Sequence, residues 1–277
     1  MKKIDWHAGF VSATMLEFIE NEKDLEYDEE HYIANRAQRI DLLIIKNDRK
    51  AVIHNPIGKL FSRFNICEYK SPGQPLSYRE FFKTLAYTSL YLGEAQQRYQ
   101  KYSASEYTMT FVRESHPYSL FKLLESDGIE IVQALPGIYE LRNHLPFRTQ
   151  VIITKDLTGE YSSWLKCLTK HGTKDNLRWI VAKTRTLDEY NRSHARNVMS
   201  VFNSANRKLV KEQIKETDMY NSVNELFADE IKEKDAIISS QQSQLAKKDA
   251  LIAKLQTKLE KYAKSANNVQ KASRHKK

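Results

Sequence analysis

The chain predicts an α/β fold, continued by a helical C-terminal extension that ends in a coiled coil. Short apolar runs between residues 39 and 154 alternate with segments that carry helix caps and glycine stops. A 14-residue stretch repeats near the C-terminus, and fourteen residues is two heptads.

The elements follow in order. Residues 6–20 hold no Pro and only one Gly, and steps of four, three and four place Trp6, Phe10, Ala13 and Glu17 on one helical face. Glu17 interrupts that apolar stripe. Residues 21–30 read as a charged connection, residues 39–46 as a strand, residues 47–50 as its turn, and residues 51–61 and 64–70 as further extended segments. Ser71-Pro72-Gly73-Gln74-Pro75 breaks the chain, and Ser77-Tyr78-Arg79-Glu80 is a capping box that opens a helix to about Leu92, with Gly93 ending it. Residues 107–112 predict a strand, 119–126 a helix closed by Gly128, 129–133 a strand, and 150–154 another after the Pro136-Gly137 turn and Ile138–Leu141. Residues 161–169 look helical, and from Leu187 onward helix dominates.

The repeat runs from Lys234-Asp235-Ala236-Ile237-Ile238 to Lys248-Asp249-Ala250-Leu251-Ile252. Ile231, Ile238, Leu245, Ile252 and Leu259 share one heptad position, while its companion holds Lys234, Gln241, Lys248, Leu255 and Tyr262. A seam that is apolar on one side only predicts a coiled coil that needs a partner chain, a second copy being the expected one. Residues 264–277, with five basic and no acidic residues, read as a disordered basic tail.

Composition limits the classes of protein. Hydrophobic residues make up 41% of the 277, enough for a proper core, so the expectation is a folded chain rather than one disordered throughout. No apolar run approaches a membrane span, Met1–Asp5 lacks the apolar stretch of a signal peptide, and Cys67 and Cys167 are the only cysteines. The expectation is a cytoplasmic protein without membrane contact. The net charge is +9, of which residues 221–277 carry +5, so the basicity concentrates in the tail and marks no nucleic-acid groove by itself.

The chemistry rests on three charged residues around two apolar runs. Asp41 heads Leu42-Leu43-Ile44-Ile45, and the run through Ile66-Cys67 ends in Glu68-Tyr69-Lys70. Side chains alternate faces along a strand, so Glu68 and Lys70 share one side and Tyr69 takes the other. Two carboxylates on separate strands with a cation beside them meet the needs of Mg²⁺ and a phosphate ester, and the Tyr69 carbonyl offers a third oxygen. A Glu-x-Lys triplet alone is a weak signal. Its place at the end of an apolar strand, and the carboxylate of Glu17 on an apolar helical face, strengthen it. No paired histidine spacing, Gly-rich phosphate loop or nucleophile elbow competes with it.

These segments resemble the PD-(D/E)XK nuclease superfamily, and within it the Rpn-like group of recombination-promoting nucleases and putative transposases. The resemblance rests on the helix bearing Glu17, on Arg39–Lys46, on Asn65–Gly73 and on the helix opened by Ser77–Phe81, within residues 1–160. It implies a restriction-endonuclease-like mixed central sheet flanked by helices, an αβββαβ core, in which Asp41 and Glu68 bind Mg²⁺. Lys70 would assist the attacking water, and Glu17 would add a carboxylate. The position before the motif aspartate, proline in the superfamily's name, is Ile40. The expected organisation is then a nuclease-like domain over 1–160, a mostly helical extension over 161–222, a coiled coil over 223–263 that makes a homo-oligomer, and the tail over 264–277. The expected activity is Mg²⁺-dependent cleavage of DNA. The alternative is a non-catalytic nucleic-acid-binding or assembly protein that works through its coiled coil.

Overall fold

A computed structural model describes residues 4–32, 39–48, 50–97, 102–159, 163–213 and 236–256. The chain divides into two compact bodies, residues 1–223 and 224–277. In the first, a seven-stranded mixed sheet is flanked by helices, an α/β architecture as the sequence predicts. Leaving 3-10 turns aside, the order opens α1 (Trp6–Glu17), β1 (Leu25–Tyr32), β2 (Arg39–Lys46), β3 (Phe64–Lys70), α2 (Tyr78–Gln97) and β4 (Tyr107–Arg113). It continues through α3 (Tyr118–Ser126), β5 (Glu130–Leu135), β6 (Ile138–Arg142) and β7 (Arg148–Ile153). Four helices close it, α4 (Ser163–Lys166), α5 (Lys174–Arg185), α6 (Glu189–Ala205) and α7 (Arg207–Gln213).

The strands lie in the order β1-β2-β3-β4-β7-β6-β5. β3, β4 and β7 run parallel at the centre, and antiparallel pairs extend the sheet on both sides. One face buries Phe64, Ile66, Tyr107, Met109, Phe111 and Val151 against Phe81 of α2 and Leu120, Phe121 and Leu124 of α3. The other face meets α1, where the Phe10 ring stacks on Tyr69 at 4.7 Å between centroids.

Three local expectations are corrected. Residues 21–30 are not a connection: a 3-10 turn (Ile19–Asp24) leads into edge strand β1. Glu26, Asp28, Glu29 and Glu30 hid that strand, and charge of this kind blunts an exposed sheet edge. Residues 51–61 form no strand but carry a 3-10 turn at Pro56–Leu60, because Asn55 caps it by accepting the Ile57 N–H at 2.9 Å. Gly93 does not end α2, which continues to Gln97. Within the extension expected to be mostly helical, α5 is opened by a reciprocal cap between Thr173 and Asn176.

The helices beyond residue 160 belong to the same body as the sheet, since α4 and α6 pack on α1. That packing leaves α1 buried on nearly every side and makes Gly9 necessary. A Cβ there would stand 2.7 Å from Val201 Cγ2 and 3.2 Å from Leu168 Cδ2. Gly9→Ala is therefore expected to lower stability by about 1–3 kcal/mol, read as a lower urea midpoint with unchanged slope.

In the second body residues 236–256 are helical, and Ile237, Ile238, Leu245, Leu251, Ile252 and Leu255 are exposed. They include the described part of the heptad column. Heptad positions 231, 234, 259 and 262 and the tail 264–277 lie outside the described residues.

Candidate active site

The register of β2 and β3 brings the predicted acids together. Leu42 pairs with Cys67 and Leu43 with Ile66, so one step further sets Asp41 opposite Glu68. Glu68 and Lys70 continue the sheet face that begins with Phe64 and Ile66, as that face runs out into an open cleft. The cleft has a volume of about 770 Å³, and Asp41, Glu68, Tyr69 and Lys70 line it. Asp41 Oδ2 accepts the Tyr69 N–H at 2.9 Å. The Tyr69 ring turns to α1, as strand alternation requires.

Lys70 is held twice. Its Nζ donates to Glu68 Oε1 and to Glu80 Oε2, each at 2.7 Å, and Lys83 stands 4.0 Å from the same Glu80 carboxylate. Burial holds the Glu68 carboxyl above its usual range, the nearby Asp41 charge adds to this, and Lys70 opposes both. Burial pulls the Lys70 ammonium down, but Glu68 and Glu80 outweigh it and its pKa ends raised. The Glu80 carboxyl lies below its usual range, chiefly through the bond from Lys70. At neutral pH Lys70 is therefore a fixed cation, suited to steadying negative charge rather than to taking a proton.

Glu17 does not join this group. It lies in the interior, where Oε1 accepts the Leu165 N–H at 2.9 Å and Oε2 the Asn55 side chain at 3.3 Å. Burial raises its pKa from 4.5 to about 8, against the pull of the Leu165 and Trp164 N–H groups and Asn55. The carboxylate expected from the first helix is instead a clasp between α1, the 3-10 turn after Asn55 and α4. The start of α1, at Trp6, His7 and Ala8, lines the cleft, whereas Glu17 ends the helix against the α4 backbone.

Glu80 is a residue that sequence reasoning missed. Its backbone N–H donates to the Ser77 hydroxyl oxygen at 3.2 Å, as a capping box requires, but its carboxylate accepts from Lys70. The parallel β3–α2–β4 crossover sets the first turn of α2 beside the end of β3, which ten residues of sequence separation do not reveal. Glu80→Gln is expected to move the Lys70 titration downward, read by NMR of the side-chain ammonium. Glu29, Glu30, His7, Gln74 and Lys83 also line the cleft. Glu30 falls between the registered pairs Glu29–Leu42 and His31–Ile40, hence opposite Asp41, and its φ of 52° is a strained backbone for a non-glycine residue.

Among the described residues no group of three or more His, Cys, Asp or Glu side chains is arranged as a metal centre. Two carboxylates do fit Mg²⁺, which keeps much of its water shell. Asp41 uses Oδ2 for the Tyr69 N–H and Glu68 uses Oε1 for Lys70. Their other oxygens remain for an ion, and a divalent cation would offset both the burial and the Asp41 charge that raise the Glu68 pKa.

The chain matches no protein-family model, no curated protein and no solved structure in comparisons with each.

Proposed function

We propose that the protein is a Mg²⁺-dependent DNA endonuclease with a restriction-endonuclease-like core of the PD-(D/E)XK, Rpn-like kind, possessing a link to recombination or mobile elements. The observation that carries this reading is the juxtaposition of Asp41 and Glu68 across β2 and β3, with Lys70 clamped between Glu68 and Glu80 in one cleft. The αβββαβ opening of the fold supports it.

Mg²⁺, held by Asp41, Glu68 and the Tyr69 carbonyl, would supply positive charge against the phosphoryl oxygens. Lys70, kept as an ammonium by its two carboxylates, orients the attacking water and stabilises the charge that builds as the phosphodiester P–O bond breaks. Lys83 and Gln74 at the cleft wall offer donors to neighbouring phosphates. Both cysteines are free and buried, which suits a cytoplasmic protein.

Assembly through residues 223–263 brings two sites together, one for each strand of a duplex. The exposed Ile238, Leu245, Ile252 and Leu255 on the helix 236–256 favour this arrangement, and they equally favour the second reading, a non-catalytic nucleic-acid-binding or assembly protein. A plasmid-nicking assay with and without Mg²⁺ separates the readings. Nicking that requires the ion supports the endonuclease; DNA retention without cleavage supports the assembly protein.

A further inference from the structure

A second polar cavity, of about 380 Å³, opens at the other end of β3, lined by Lys46, Phe61, Ser62, Arg63, Ser103, Ser105 and Glu106. β3 begins just after Arg63 and ends at Lys70, so its seven residues put roughly 23 Å between this cavity and the cleft.

Lys46 ends β2, and its N–H donates to the Arg63 carbonyl at 2.8 Å, one step beyond the registered pair Ile45–Phe64. Two cations thus stand directly opposite each other across neighbouring strands, an arrangement that is unfavourable without an anion between them. Lys46 is also only 8% exposed. Its stem is packed away, and among the described residues no hydrogen bond or ion pair engages its ammonium, which is left to the cavity. Arg63 lies over the Tyr102 ring at 5.2 Å, and its Nε is buried without a partner. At the wall the Ser62 hydroxyl donates to the Ser105 carbonyl at 3.0 Å and the Ser103 and Ser105 hydroxyls bond each other, and Glu106 is the single carboxylate there against two cations.

We propose that this cavity binds an oxyanion of the phosphate class between Lys46 and Arg63, with the one hydroxyl hydrogen left over in the Ser103–Ser105 pair as a further donor. A planar guanidinium with an unpartnered Nε, an ammonium at the cavity wall and a hydroxyl form a donor set that matches a tetrahedral anion. The anion supplies the negative charge that Lys46 lacks, and Glu106 restrains the site from holding more than one. The site stands independently of the nuclease reading, because nothing in it touches Asp41, Glu68 or Lys70.

The test is an NMR titration of the full-length chain, without divalent ions, with inorganic phosphate and with sodium chloride at matched ionic strength. Saturable shifts confined to amides at residues 46, 62, 63 and 103–106 are expected with phosphate, and binding roughly tenfold weaker in Lys46→Met. Arg63→Gln should weaken binding similarly, which guards against a folding defect peculiar to Lys46→Met. A 5′-phosphorylated oligonucleotide that binds more tightly than inorganic phosphate, with its unphosphorylated form inert at these amides, assigns the site to a strand end. Equal binding of the two phosphate forms assigns it to the free anion. Shifts no larger than those from chloride, or unchanged binding in both variants, overturn the proposal.

Discussion

Asp41→Ala and Glu68→Ala are expected to abolish Mg²⁺-dependent nicking, by about 10³-fold or more, while the melting transition remains cooperative. Each removes one of the two carboxylates that the β2–β3 register sets opposite one another. Lys70→Ala is expected to slow nicking comparably, by a different route. It leaves Glu68 buried beside Asp41 without the cation that opposes their repulsion, so the Glu68 carboxyl rises further and holds its proton more strongly. Raising the pH should therefore recover part of the Lys70→Ala loss and none of the Asp41→Ala loss. Nicking rates on supercoiled plasmid between pH 6 and 9, with thermal melts as the folding control, make the comparison. Undiminished cleavage by the two acid variants would remove the assignment of the cleft.

Glu17 should make the protein less stable as the pH rises. Its pKa is about 8 in the folded chain against 4.5 for the free group. The folded state therefore keeps a proton that the unfolded chain has released. This contribution is complete below about pH 4.5, is lost progressively as the pH rises, and is gone above about 8. Between pH 5 and 8 the wild type is expected to lose roughly 3 kcal/mol that Glu17→Gln retains, since each pKa unit corresponds to about 1.4 kcal/mol. Urea unfolding of both proteins at the two pH values measures the difference, and other titrating groups cancel between them. Parallel pH dependences would show that Glu17 ionises normally. The nicking activity of Glu17→Gln is expected to persist, because the carboxylate faces Leu165 and Asn55 and not the cleft.

Where elements announce themselves locally, sequence reading and structure agree. β2, β3, β4 and α3 lie within a residue or two of the expected bounds, because each is a continuous apolar run or a segment with a clear stop. β1 escaped because an edge strand can be charged on most of its length, and the turn after Asn55 escaped because a single side-chain cap redirects an otherwise strand-like run. The same division holds in the cleft. Strand alternation puts Glu68 and Lys70 on one face from their spacing alone, whereas Glu80 enters through a crossover that no local pattern records.

Local periodicity was enough to specify the α/β class, the shared face of Glu68 and Lys70 and the heptad column in the last third, because each depends on neighbours a few residues apart in the chain. The meeting of Asp41 with Glu68, the clamp of Glu80 on Lys70 and the removal of Glu17 into the interior were decided by strand register and helix packing. Those depend on burial summed over residues 10 to about 150 positions apart, which is where the environment of a charged side chain, and hence its chemistry, is set.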